Sequence, residues 1–149
     1  MSIVPVSCHC HVVPGVGAQT PPSRAPAAPV EPDNVDGYDN ANGLGLTESD
    51  QIDYDTFLAT EAHARGLSVG LKNALGLIPK LVGRFDWALN EECLKYKECS
   101  ELQPFISAGK AVFHCEYASS TTGICDKRPA GFSTIVKHLS LDAWRLACP

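Results

Sequence analysis

At 149 residues, with 44% hydrophobic and 19% charged side chains, the chain has the composition of one globular domain with a core of its own. A net charge of -5 argues against nucleic acid as a partner, and no apolar run approaches the roughly 18 residues of a membrane span. Seven cysteines are many for a cytosolic chain of this size and favour an oxidising compartment, although Met1 to Val6 shows neither the basic nor the apolar region of a signal peptide.

Residues 1–29 are dense in proline, and stretches such as Thr20-Pro21-Pro22-Ser23 suit neither helix nor sheet interior, so a disordered lead is expected. Within it, Cys8-His9-Cys10-His11 has metal-binding residue types. No second ligand pair at zinc-finger spacing follows, and no metal is assigned to it. Next comes Glu31-Pro32-Asp33-Asn34-Val35-Asp36-Gly37-Tyr38-Asp39-Asn40, a run crowded with acids and amides behind a short apolar lead. Composition alone reads it as a solvated loop.

Thr47 with Asp50 three residues on resembles a capping box. Tyr54, Phe57, Leu58 and Ala62 follow at helical spacing, and Gly66 ends the helix. Leu67 to Leu71 then reads as a buried parallel strand. The alternation repeats: helix Leu77 to Val82 and strand Phe85 to Leu89, then helix Cys99 to Ala108 and strand Ala111 to Cys115. Phe132 to Lys137 is a final strand, followed by a terminal turn or helix over Leu141 to Leu146. The order predicts an α/β fold with a parallel sheet. In such a sheet the carboxyl ends of the strands share one face, so polar residues there converge on one site.

The quoted stretches carry a family resemblance. VEPDNVDGYDN at 30–40, EAHARGLSVGLKN at 61–73, FDWALNEEC at 85–93, ECSELQPFISAGKAVFHCEY at 98–117 and GFSTIVKHLSLDAW at 131–144 occur in family order. From Val30 to the C-terminus the chain resembles glycoside hydrolase family 114, the endo-alpha-1,4-polygalactosaminidases and their alpha-galactosidase-like relatives. The resemblance implies a partial (β/α)8 TIM barrel, roughly the last four to five βα units, with residues 30–149 as the C-terminal part of the domain. A whole barrel takes about 250 residues, so a chain truncated upstream is expected.

The resemblance also implies chemistry. Glycoside hydrolysis places two carboxyl groups across the scissile bond, and Asp33 and Glu91 match the family's catalytic pair. Asp36, Glu92 and Glu116 are rivals. Asp36, Tyr38, Lys72, Asn73, Asn90, Glu116 and Tyr117 are candidate substrate-binding residues, because amides, an amine and phenols at strand ends supply directed hydrogen bonds to a sugar. The implied partner is an oligo- or polysaccharide containing galactosamine or galactose. The family further implies an extracellular monomer without cofactor or metal. Cys93 with Cys99 and Cys125 with Cys148 make sensible disulfides, with zinc as a competing reading that lacks paired C-x-x-C spacing, and Cys115 reads as a buried thiol. A truncated, inactive fragment with weak carbohydrate binding is the alternative function.

Overall fold

The computed structural model describes residues 28–149. The proline-rich segment up to residue 27 and the Cys8 to His11 run lie outside the described residues. Six strands form one sheet in the order β1 (Pro29–Val30), β2 (Ser68–Lys72), β3 (Trp87–Glu91), β4 (Ala111–Tyr117), β5 (Phe132–Lys137) and β6 (Arg145–Ala147). β1 to β5 pair in parallel, as the alternating sequence pattern predicts. β1 begins at Pro29, one residue inside the expected lead. Proline is tolerated there because β1 has β2 on one side only.

The four helices are α1 (Glu48–Ala64), α2 (Ile78–Leu81), α3 (Cys93–Tyr96) and α4 (Gln103–Ser107), with 3-10 turns leading into α2 and α4. α1 opens on a reciprocal capping box: Asp50 N–H donates to Thr47 Oγ1 at 3.2 Å, and Thr47 N–H donates to Asp50 Oδ2 at 2.8 Å. It closes at Gly66, whose φ of +69° suits glycine. Its buried stripe, however, is Gln51, Asp55, Ala59 and Ala62, while Phe57 is 57% exposed. The predicted apolar face is therefore rotated: two polar residues take core positions, joined by Gln51 Nε2 donating to Asp55 Oδ1 at 2.8 Å, while Asp55 Oδ2 is buried without a hydrogen-bond partner.

Three further expectations shift. The third strand runs Trp87–Glu91 instead of Phe85 to Leu89, because Phe85 is a fully buried residue of the preceding turn. The short helix α3 follows β3 where only a loop was expected. No helix forms over Leu141 to Leu146; instead the chain reverses, and β6 pairs antiparallel with β5, Ile135 opposite Ala147.

Registered residues of a parallel sheet share a face, and faces alternate along each strand. Val69, Leu71, Ala88, Val112 and Phe132 point to one face, where they bury against Leu77, Ile78, Leu81, Phe85, Leu102 and Phe105 in one core. The opposite face carries Gly70 and Lys72 of β2, Trp87, Leu89 and Glu91 of β3, Phe113 and Tyr117 of β4, and Lys137 of β5. Trp87 sits low on this second face, edge-on to Phe113 with ring centroids 5.5 Å apart, and its Nε1–H donates to Ser68 Oγ at 2.8 Å. Above it, at the carboxyl ends, the polar residues collect.

Both expected disulfides are present, Cys93–Cys99 and Cys125–Cys148, and Cys115 is a buried thiol. Cys93, Cys99 and His114 bring possible metal-ligand atoms within 4.8 Å of one another, but both sulfurs are committed to their mutual bond. Among the described residues, no helix is long and apolar enough to cross a membrane.

Candidate active site

The site is organised by Lys72, the last residue of β2, which stands between the ends of β1 and β3. Its Nζ lies 3.0 Å from Asp33 Oδ1, 3.4 Å from Glu91 Oε2 and 3.9 Å from Glu31 Oε1. Burial works against the ammonium, but the Asp33 bond and the charges of Glu91, Asp33 and Glu31 outweigh it and raise the Lys72 pKa. Glu31 has a carboxyl only 8% exposed, and burial pushes its pKa up even though Lys72 opposes the shift. One cation thus serves three carboxyl groups.

Glu91 is held by more than Lys72. Asn73 Nδ2 donates to Glu91 Oε2 at 3.2 Å, and Asn73 Oδ1 accepts from Glu91 N–H at 3.0 Å, so one amide fixes both backbone and side chain. The Tyr117 hydroxyl donates to Glu91 Oε1 from the neighbouring strand β4. Burial first, and then the adjacent Glu91, push the Tyr117 pKa up, so the phenol stays protonated as a donor.

The backbone around these side chains is strained. Asn34, Asn73, Ala74 and Glu92 all have positive φ, from +46° to +65°, and all lie just beyond the carboxyl ends of β1, β2 or β3. Non-glycine residues reach that region at a cost, and such residues cluster where geometry serves a function. Asn73 N–H donates to Leu89 O at 2.8 Å, and Glu92 N–H donates to Cys115 O at 2.8 Å, so neighbouring strands hold two of these turns.

The structure therefore gathers Asp33, Lys72, Asn73, Glu91 and Tyr117 from the sequence-based candidates. The others are placed elsewhere. Glu116 faces the buried side of the sheet, where its Oε1 accepts from Leu94 N–H at 2.8 Å and lies 2.9 Å from His114 Nε2. His114 is itself buried, with Nδ1 3.1 Å from Thr134 Oγ1, and desolvation lowers its pKa against the pull of Glu116. Glu116 thus fixes the start of α3 from beneath.

Asn90 is likewise buried on the helix side of β3 and reaches the site only through Asn73, donating to its Oδ1 at 3.3 Å. Asp36 and Tyr38 belong to the α1 side. Tyr38 N–H donates to Gln51 Oε1 at 3.3 Å, and the phenol sits beside Gly76, while Asp36 acts electrostatically on Asp55. Glu92 turns to Lys95, 2.6 Å away. Sequence reasoning missed Glu31 as a site residue, although its position directly after the apolar Val30 was the available signal.

The arrangement can present two carboxylates to one glycosidic bond, with Lys72, Asn73 and Tyr117 orienting them. A crystal structure of Aspergillus fumigatus Ega3 in complex with galactosamine is similar at a TM-score of 0.75 and 44% sequence identity, over 80% of this chain and 53% of that one. This chain therefore spans about half the length of that protein's chain. No curated protein matches the sequence. Residues 28–149 match the model of glycoside-hydrolase family GH114, which takes in every described element from β1 to β6 and all the residues gathered around Lys72, and the chain belongs to that family.

Proposed function

We propose that the chain carries the catalytic carboxylates of a glycosidase acting on galactosamine-containing glycans, with Asp33 and Glu91 as the reacting pair. One observation carries the reading: Lys72 Nζ touches both carboxylates, at 3.0 and 3.4 Å, although Asp33 lies in the loop after β1 and Glu91 ends β3, with β2 between them. One ammonium therefore holds the two carboxyl groups on the same side of the sheet, close enough to act on one glycosidic bond. In such a pair one carboxyl group protonates the leaving oxygen while the other attacks the anomeric carbon or activates a water.

Galactosamine polymers are cationic near neutral pH where their amines are free. Three carboxyl groups around a single lysine give the cleft the opposite sign. Two disulfides support an extracellular setting, in keeping with the family resemblance.

The test is hydrolysis of alpha-1,4-linked polygalactosamine by the parent chain and by Asp33→Asn and Glu91→Gln. Both substitutions should abolish reducing-end release while leaving the circular dichroism spectrum and melting transition in place. Parental rates in both variants would overturn the pair. A second reading rests on coverage, since the chain matches only 53% of the Ega3 chain: a fragment that binds the glycan weakly without cleaving it. It is supported if the parent chain releases no reducing ends yet shows saturable binding that Glu91→Gln does not weaken.

A further inference from the structure

Val30 ends β1 with its side chain packed against the core, so Glu31 turns to the opposite face of the sheet, the face of Lys72. There it stands behind the reacting pair: the Glu31 carboxyl is 8% exposed, against 27% for Glu91 and 60% for Asp33. We propose that Glu31 is a positioning residue for the reaction, which acts through Lys72 by engaging the ammonium when ionised and leaving it to Asp33 and Glu91 when neutral. The inference rests on the glycosidase reading above, in which Asp33 and Glu91 react.

Distance is the first argument. Lys72 Nζ bonds Asp33 Oδ1 at 3.0 Å and lies 3.4 Å from Glu91 Oε2, whereas Glu31 Oε1 is 3.9 Å away, beyond hydrogen-bond length. A shift of the ammonium by about 1 Å brings Glu31 into bonding range and loosens the other two contacts. The flexible four-carbon stem of a lysine allows such a shift. Glu31 itself is too enclosed to meet a glycosidic bond, so its effect on the reaction runs through that cation.

Charge state is the second argument. Burial takes water from Glu31 and pushes its pKa up; Lys72 opposes the shift, while Asp33 and Glu91 add to it. The charges that face Glu31 are therefore Asp33 from its own loop, Lys72 from β2 and Glu91 from β3. Glu31 keeps its proton to higher pH than an exposed glutamate, and a neutral carboxyl makes no ionic claim on Lys72. Once ionised, it draws strongly on the ammonium, because attraction between charges grows as water is excluded.

The cost of losing Lys72 falls unequally on the pair. Glu91 is also held by Asn73 and Tyr117, whereas Asp33 sits in an exposed loop, where its Oδ1 accepts from the adjacent Asn34 N–H at 3.0 Å. Ionised Glu31 therefore loosens Asp33 first.

The experiment uses the full chain and reads Lys72 directly. Carbon and nitrogen chemical shifts of the Glu31 carboxyl and the Lys72 ammonium are followed from acid to neutral pH, in the parent and in Glu31→Gln. Glu31 should titrate above the ordinary glutamate value of about 4.3, with a step in the Lys72 shifts at the same midpoint, and the step should vanish in Glu31→Gln. On polygalactosamine the parental kcat/KM should fall by about tenfold as pH rises through that midpoint, the worth of one hydrogen bond to a charged group. Glu31→Gln should keep the acid-side rate and lose that fall. Lys72 shifts that stay flat through the Glu31 midpoint in the parent would overturn the proposal, even if the variant failed to fold. So would a Lys72 step or a rate fall that survives in a folded Glu31→Gln, or a folded Glu31→Gln that is slow at every pH. A parent chain that hydrolyses nothing would instead remove the glycosidase reading, and the Lys72 step would still decide whether Glu31 controls the ammonium.

Discussion

Tyr117 and Glu91 meet across the β3–β4 seam because Glu91 is registered with Cys115, which places Tyr117 one pleat further along the same face. The phenol is therefore part of the carboxylate's geometry and can also orient bound substrate. Tyr117→Phe should keep the fold and lower kcat on polygalactosamine by about 10- to 100-fold, the worth of a hydrogen bond to a charged group. A kcat equal to that of the parent would show that Lys72 and Asn73 suffice.

Lys72→Met removes the cation shared by Glu31, Asp33 and Glu91. Carboxyl groups left together hold a proton to higher pH. The acid limb of the kcat/KM profile should therefore move upward, and the rate at pH 7 should fall by about 100-fold or more. An unshifted profile in stopped pH-series assays would mean that the lysine contributes no charge to the pair.

Asp55 gives a stability signature away from the site. Burial pushes its carboxyl up to about 6, although the Gln51 bond opposes the shift. The folded state then binds the proton more tightly than the unfolded state does. This group's contribution to stability must fall as pH rises from about 4 to about 6 and level off above, by at most about 3 kcal/mol. Asp55→Asn should remove that slope and raise the urea midpoint at pH 7.5. Parallel parent and variant curves between pH 4 and 8 would contradict it.

Gly70 tests the floor of the cleft. A Cβ there would stand 2.3 Å from Trp87 Cζ3, and the indole is pinned by Ser68 and Phe113. Gly70→Ala should destabilise the fold by about 1 to 3 kcal/mol through overpacking. Gly70→Ala combined with Trp87→Leu should recover much of that loss in denaturant titrations. No recovery would place the strain in the backbone instead.

Strand order was legible because apolar runs bounded by glycine recur between helical segments, and the carboxyl-end site followed from it. The side-chain faces were not legible, since a shift of one residue exchanges them. Glu91 and Glu116 each end an apolar run, yet the register of Glu91 with Cys115 turns Glu116 to the buried side, and no local signal reveals that register. Gln51 and Asp55 hid the true face of α1 for a related reason: each is polar alone and tolerable only as a bonded pair in the core. Asp36 and Tyr38 looked like neighbours of Asp33 in sequence, but the turn after Asn34 carries them toward α1.

The order of strands in the sheet is also the order of their synthesis, since β1 to β5 lie side by side in chain sequence. From β2 onward each new parallel strand finds its partner already made and closes a short connection, whereas β2 must close back on β1 across all of α1. At about 5 to 20 residues per second, the sheet can grow from β2 onward one unit at a time as the chain emerges. The departure comes at the end, when β6 turns back on β5 and Cys148 joins Cys125 across a separation of 23 residues. Oxidation at that pair is the final latch on an edge that is otherwise assembled without it.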